Sequence, residues 1–186
     1  MNELEQKLEV VDENDNVLGI ESRSKIHKEG LLHREIHVFF ITPLGEIIFQ
    51  HRSKDKDTYP DKLDATVGGH VEPGMSYEET AIKECKEETG IDLDSKKLVF
   101  LIKMKRKSFD QVTGKINNTI RAQYVYLYDG LISDLQIEDG KSEGFEAWKI
   151  DDLFNLSEDD RNKFIGLILS EEMLGLFKKA KEILIK

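Results

Sequence analysis

One helix in this chain has both of its ends fixed by local sequence, and it constrains the fold more than any other segment. Residues 68–91 read GGHVEPGMSYEETAIKECKEETGI. Ser76 followed three residues later by Glu79 is a capping-box signature for a helix start. Gly90 provides the usual stop. The sequence therefore predicts a helix over Tyr77–Thr89 whose side chains have a defined phase relative to the preceding glycine pair, which we interpret as a turn.

Three glutamates of this helix fall on one face. Glu84, Glu87 and Glu88 are spaced by three and four residues, so their carboxylates are neighbours and repel one another by roughly 0.2–0.5 kcal/mol per pair. Hard carboxylate oxygens are the ligands that Mg²⁺ or Mn²⁺ prefers, and such ions are commonly shared with substrate phosphates. The pattern predicts a divalent-metal site that faces a phosphorylated ligand. The alternative is an ordinary solvated helix stabilised by ion pairs of Lys83 with Glu79 and Glu87.

Composition narrows the function classes. The chain has 186 residues and a formal net charge of −10, which argues against non-specific binding to nucleic acid or to an anionic membrane. The single cysteine, Cys85, cannot form an internal disulfide and is expected to be a buried structural thiol in a reducing, cytoplasmic setting. We find neither a signal-peptide pattern at the N-terminus nor an apolar segment of membrane-spanning length.

The remaining pattern predicts a mixed α and β order in one domain, residues 1–186. A hairpin is predicted around Pro43-Leu44-Gly45, a polar loop over 108–118, and a short helix over 22–29. The predicted strands are 8–11, 17–20, 35–42, 46–51, 63–67, 97–105, 120–128 and 146–150. A last helical stretch over 158–185 begins at the cap Ser157 and is expected to break near Ser170 or Gly175.

The glycine and the acidic helix together resemble the Nudix box. Gly69 opens the motif, and its later positions are matched in register by Glu84, Cys85, Glu87, Glu88, Gly90 and Ile91. Two positions depart from it, because Met75 replaces a glutamate and Lys83 replaces an arginine. The resemblance covers about residues 10–154. It implies an α+β fold, the Nudix α/β/α sandwich with a mixed central sheet, followed by a C-terminal helical extension over 157–185.

The resemblance also implies a chemistry. Nudix enzymes hydrolyse the pyrophosphate bond of nucleoside-diphosphate-linked compounds with Mg²⁺ or Mn²⁺. By this resemblance the metal would be held by Glu84, Glu87, Glu88 and the carbonyl of Gly68, and the general base would be Glu84 or Glu143. Arg52 and Lys56 would bind the diphosphate, although both also fit an ordinary solvated loop. Nudix proteins are often dimers, so a homodimer is one expectation.

Residues upstream of the box resemble the branch that contains isopentenyl-diphosphate isomerases. His33 and His70 match positions where those enzymes bind metal, although each also fits a structural histidine. The isomerase cysteine is replaced here by Gly68, and glycine cannot donate a proton. The sequence therefore favours hydrolysis. It leaves open two alternatives: an isomerase-like enzyme, and a ligand-binding module that is catalytically weak because Met75 and Lys83 depart from the box.

Overall fold

The structure is a computed structural model that describes residues 5–56, 58–138 and 140–185. The strands, in chain order, are Lys7–Val11 (β1), Val17–Ser22 (β2), His33–Ile41 (β3), Glu46–Arg52 (β4), Leu63–Asp64 (β5), Val67–His70 (β6), Leu98–Phe109 (β7), Ile116–Leu127 (β8) and Ser142–Lys149 (β9). The helices are Arg23–Glu29 (α1), Tyr77–Thr89 (α2), Glu158–Arg161 (α3) and Glu171–Leu184 (α4). Among these described residues, no helix is both long enough and apolar enough to cross a membrane.

Strand β3 is the centre of a mixed sheet. It pairs in parallel with β8 from His33–Thr119 to Ile41–Leu127, and it pairs antiparallel with β1, β4 and β6. The sheet extends beyond these neighbours. Strand β2 pairs with β1, β7 pairs with β8, and both β5 and β9 pair with β4. The side chains of β3 are almost all buried, as expected of a strand covered on both faces.

The sheet divides along one side of β3, and this division opens the site. Only Phe40 and Ile41 of β3 pair with β4. Further toward the start of β3, the partner is β6, whose residues 67–70 pair with 35–38. Because β4 has diverged by this point, the glycine-rich strand β6 lies between β3 and α2, with its surface open to a cleft.

Two apolar cores lie on the two faces of the sheet, which gives the predicted α/β/α layers. On one face α2 buries Tyr77, Ala81 and Cys85. On the other face α4 buries Phe177, whose ring lies 4.8 Å from that of Phe39 on β3. Cys85 is fully buried, as predicted, and burial raises the pKa of its thiol well above the ordinary value.

The structure corrects three local predictions. The predicted polar loop over 108–118 is shorter, because β7 and β8 continue as a hairpin until Phe109 pairs with Ile116 and only residues 110–115 connect them. An exposed two-stranded ribbon buries neither face, so it needs no apolar alternation, and its sequence reads as a loop. The glycine pair, predicted as a turn, belongs to β6, and at Gly69 the close approach of the Glu84 side chain explains why a glycine stands inside a strand.

The third correction concerns the C-terminal extension, where the predicted break near Ser170 is confirmed but the first helix already ends at Arg161. The predicted helix over 158–185 is two helices, and the second starts at Ser170, whose hydroxyl accepts a hydrogen bond from the backbone N–H of Met173. Between them the chain runs alongside β5: the N–H of Leu63 donates to the carbonyl of Lys163, and that of Ile165 donates to the carbonyl of Leu63. These tertiary hydrogen bonds interrupt the helix near one of the two predicted positions.

Candidate active site

A cleft of about 1170 Å³ opens where β3 and β4 diverge. Its walls come from β3, β4, β6, α1, α2 and the β7–β8 hairpin. Most of the residues singled out from the sequence line it: Arg52, Lys56, Gly68, His70, Glu84, Glu87 and Glu88. Residues far apart in the chain therefore share one cavity, which local pattern could not show.

Helix α2 is held in place by the predicted caps. The Ser76 hydroxyl accepts a hydrogen bond from the N–H of Glu79 at 3.2 Å, and the Glu79 carboxylate accepts one from the N–H of Ser76 at 2.8 Å. At the other end Gly90 adopts a left-handed conformation, with φ of 73°, that closes the helix onto the carbonyl of Lys86. The phase of the three glutamates is thus set by groups within the helix itself.

The three glutamates occupy different environments. Glu84 and Glu88 are buried, with 8% and 3% of their surface exposed, whereas the side chain of Glu87 is 51% exposed. Burial raises the pKa of Glu84, and it raises the pKa of Glu88 to about 7. Two adjacent carboxylates that are buried and have raised pKa values form an environment that a divalent cation would stabilise.

Contacts from β4 and β6 orient Glu88. Its Oε2 atom lies 3.4 Å from the N–H of Gly68 and 3.3 Å from the amide nitrogen of Gln50, both of which donate to it. Its Oε1 atom lies 3.6 Å from Nζ of Lys141. Gln50 and Lys141 carried no motif in the sequence, so only the fold identifies them as part of the site.

Glycine at position 69 allows Glu84 to pack against the strand. A Cβ atom at this position would lie 2.7 Å from both Cγ and Cδ of Glu84. Real Cβ atoms do not approach carbon so closely. The glycine that opens the box is therefore required by the position of the glutamate side chain.

Lys83 connects the acidic groups at the mouth of the cleft. Its Nζ atom lies 3.0 Å from Glu72, 3.2 Å from Glu87 and 3.7 Å from Glu84. Lys83, which replaces the arginine of the box, thus pairs with three carboxylates, although lysine is a point charge without a planar fork. Met75, the other departure, is half-buried and packs against the core on the α2 side.

Arg52 lies in the cleft, but its donors already have partners. The guanidinium group donates to the carbonyls of Thr58 and Tyr59 at 2.8 and 3.2 Å, and it pairs with Asp64 at 3.2 Å. These contacts fix the loop that follows β4. The predicted role of Arg52 in diphosphate binding therefore remains a prediction, and so does that of Lys56, which lines the same cleft.

Glu143 lies apart from the other predicted site residues. It is exposed on β9 and is not among the residues that line the cleft. In this part of the chain the cleft is lined instead by Lys141, whose Nζ atom pairs with Glu138 at 2.9 Å. Of the two candidate bases, only Glu84 is among the residues that line the cleft.

Three histidines meet at one end of the cleft. His27 on α1, His33 on β3 and His70 on β6 have ligand nitrogens within 4.8 Å of one another. The rings of His33 and His70 are stacked with centroids 5.2 Å apart, and His27 stands edge-on to both. The sequence singled out only His33 and His70, because nothing in the pattern of α1 distinguishes His27 from a surface residue.

Comparison with known proteins agrees with this architecture. The NUDIX domain family model matches residues 31–166. A Nudix hydrolase from Yersinia pestis is 40% identical over 84 residues, which are 45% of this chain and 46% of the relative. A Nudix hydrolase from Nostoc is 40% identical over 88 residues, which are 47% of this chain and 52% of the relative. The aligned segments thus span about half the length of the curated relatives.

Solved structures show the same fold. A protein from Deinococcus radiodurans superposes with a TM-score of 0.70 and 22% identity, covering 94% of this chain and 98% of that one. The NUDIX domain of Shewanella oneidensis NrtR, solved in complex with ADP ribose, superposes with a TM-score of 0.56 and 15% identity, covering 88% and 99%. At these identities the likeness speaks for the fold alone. Since the family model matches well over half of its residues, and the box glutamates line the cleft of that fold, the chain belongs to the NUDIX domain family.

Proposed function

We propose that this protein hydrolyses the pyrophosphate bond of a small diphosphate-linked molecule, with a nucleoside-diphosphate-linked compound as the expected class. The observation that carries the proposal is the pair of buried carboxylates, Glu84 and Glu88, beside the glycines of β6 in a cleft that is also lined by basic side chains. Membership in a family of hydrolases supports it. The ADP ribose bound by the Shewanella domain is a molecule of the proposed class.

A divalent ion, Mg²⁺ or Mn²⁺, would be held by Glu84, Glu87, Glu88 and the Gly68 carbonyl. Once bound, it would neutralise charge on the phosphates and acidify the attacking water. Other groups of the protein orient these carboxylate ligands. Gln50 and the N–H of Gly68 fix one oxygen of Glu88, and Lys83 holds Glu84 and Glu87 at the mouth of the cleft.

We assign the general base to Glu84 in preference to Glu143. A base must lie within hydrogen-bond reach of the water whose proton it takes. Glu84 lines the cleft, and burial raises its pKa, which makes it a better proton acceptor near neutral pH. Glu143 faces solvent outside the lining of the cleft.

Basic side chains in the lining of the cleft provide positive charge that a diphosphate group can bind. The hairpin contributes Arg106, Lys107 and Lys115 to the lining of the cleft, and Arg121 and Lys141 also contribute to it. The chain as a whole carries a net charge of −10, so these local cations, together with a bound metal ion, provide the attraction that a polyanion needs.

Hydrolysis of a panel of compounds tests the proposal. ADP ribose, a dinucleoside polyphosphate, an isoprenoid diphosphate and inorganic pyrophosphate would each be incubated with the full chain and Mg²⁺. We expect phosphate or nucleotide release from at least one, loss of release with EDTA, and recovery with added Mg²⁺. Full turnover in metal-free buffer, or no turnover of any compound, would contradict the proposal.

Matched variants locate the metal site. Glu87→Gln and Glu88→Gln are each expected to lower kcat by at least about 100-fold, because loss of a direct ligand should cost no less than loss of a supporting contact. Glu78→Gln is the control, since Glu78 is exposed in the first turn of the same helix and outside the lining of the cleft. If both ligand variants keep the parental kcat, the metal does not bind to this helix.

A further inference from the structure

The ammonium group of Lys141 lies against one of the buried carboxylates of α2. Its Nζ atom is 3.6 Å from Oε1 of Glu88 and 2.9 Å from Oε2 of Glu138. The side chain is 29% exposed and lines the cleft, so its charge is held largely away from bulk water. A cation of the protein itself therefore lies beside the carboxylates that would bind a divalent ion.

Lys141 lies at the oxygen of Glu88 that the neighbouring donors leave open. The other oxygen, Oε2, accepts hydrogen bonds from the side-chain amide of Gln50 and from the N–H of Gly68. Oε1 lies against Lys141 instead. Since Oε2 already has two donors, Oε1 is the oxygen through which Glu88 would bind an ion, and Lys141 competes for it.

The charge of Lys141 acts on both buried carboxylates. Burial raises the pKa of Glu84, and Lys141 opposes this rise more strongly than Lys83 does. Burial alone would lower the pKa of Lys141, but its hydrogen bond with Glu138 and the charge of Glu88 raise that pKa above its ordinary value. Lys141 is therefore a cation at neutral pH, and it partly neutralises the carboxylate pair.

Backbone hydrogen bonds fix the point from which the Lys141 side chain extends. Its N–H donates to the carbonyl of Glu138 at 3.0 Å, and its carbonyl accepts from the N–H of Ser53 at 3.1 Å. The second bond ties Lys141 to the residue that directly follows β4. Because lysine has a flexible four-carbon stem, the ammonium group can change its partner within the cleft while the backbone stays in place.

A divalent ion and the Lys141 ammonium group repel each other if both lie at Glu88. Charges a few ångströms apart interact more strongly in a partly water-excluded cleft than in bulk water. A phosphate that shares the ion would bring new anionic oxygens close to Lys141. Lysine is a common ligand of phosphate groups, so it has a second partner when the cleft is filled.

We propose that Lys141 changes partner during binding: it neutralises Glu84 and Glu88 in the empty cleft and binds a phosphate oxygen of the substrate in the filled cleft. This proposal rests on the proposed function, because it requires a metal ion on α2 and a phosphorylated substrate. Two consequences follow. Lys141 lowers the affinity of the substrate-free protein for the ion, and it raises the affinity of the metal-loaded protein for the substrate.

Mn²⁺ binding, followed by electron paramagnetic resonance, tests the first consequence without any turnover. The full chain would be titrated at pH 8, above the pKa of about 7 of Glu88, so that protons compete little with the ion. Lys141→Met keeps an unbranched side chain and removes the charge, and we expect it to bind Mn²⁺ at least about tenfold more tightly than the parent does. Lys141→Arg keeps the charge and is expected to retain the parental affinity.

Lys86→Met is the matched control for the change in net charge. Lys86 belongs to the same helix but pairs with Asp92 at 2.7 Å and lies outside the lining of the cleft. We expect its Mn²⁺ affinity to be parental. If the parent binds Mn²⁺ but Lys141→Met gains no more than Lys86→Met, this proposal alone is overturned. A parent that binds no Mn²⁺ removes the proposed metal site, and this proposal with it.

Steady-state kinetics tests the second consequence. At saturating Mg²⁺, we expect Lys141→Met to raise KM at least about tenfold for the compound of the panel that the parent hydrolyses fastest, with a smaller change in kcat. A purely structural role of Lys141 would lower Tm without tightening Mn²⁺ binding. An unchanged KM in Lys141→Met would overturn the transfer of Lys141 to phosphate. Circular dichroism of each variant checks that it is folded.

Discussion

Adding a single methyl group at Gly69 should strongly disturb the position of Glu84 in the candidate active site. A Cβ atom there would lie 2.7 Å from Cγ and Cδ of Glu84. Carbon atoms in contact rest at about 3.5–4.0 Å. Gly69→Ala must therefore displace the Glu84 carboxylate by about 1 Å, or move β6 by the same amount.

The expected magnitudes differ for stability and activity. Overpacking of this kind typically costs about 1–3 kcal/mol, and we expect the lower end because the atoms in conflict belong to a flexible side chain. A misplacement of about 1 Å in a catalytic group can cost about 100-fold in rate. Gly69→Ala should thus remain folded with a small drop in Tm and lose about 100-fold in kcat/KM.

The assay is kcat/KM at saturating Mg²⁺ together with a thermal melt. Gly19→Ala is the control, because a Cβ atom at Gly19 on β2 would meet nothing within 4 Å. The control should keep parental activity and Tm. If Gly69→Ala is as active as the parent, Glu84 does not need its observed position, and the argument for its role as base and ligand fails.

Three further predictions concern the same site. In metal-free protein the pKa of Glu88 is raised to about 7 from 4.5, so the folded state holds this proton more tightly than the unfolded state does. The free energy of unfolding should therefore fall by at most about 3 kcal/mol as pH rises from 4.5 to 7. Denaturant melts should show a flatter dependence of this free energy on pH for Glu88→Gln, and an unchanged dependence would contradict the prediction. Met75→Ala should cost roughly 1 kcal/mol or less and under tenfold in kcat/KM, while Met75→Glu should keep or raise activity; an inactive parent rescued by Met75→Glu would instead indicate a degenerate box. Isopentenyl diphosphate should not be isomerised, because Gly68 has no proton donor, and formation of dimethylallyl diphosphate at an enzymatic rate would refute that.

The helix that carries the glutamates was predictable because its determinants are local. Ser76, Glu79 and Gly90 interact within a few residues of the helix ends, so the capping pattern alone gave the limits of α2. The outer end of the β7–β8 hairpin, beyond the predicted strands 97–105 and 120–128, was not predictable, since its polar ribbon lacks the alternation of a half-buried strand. The break before α4 coincides with a cap at Ser170, and the segment before it forms hydrogen bonds with distant Leu63.

Sequence by itself determined a capped helix with three carboxylates in phase, because the caps and the helical spacing depend on interactions within a few residues. Only the tertiary structure decided that Glu84 and Glu88 are buried and Glu87 is exposed, because burial depends on how the helix face meets β6. It also decided that His27 and Glu35 join the two histidines, and that Glu143 lies outside the cleft. Such proximities join residues of distant segments, and no local pattern encodes the register by which β3, β6 and β8 bring them together.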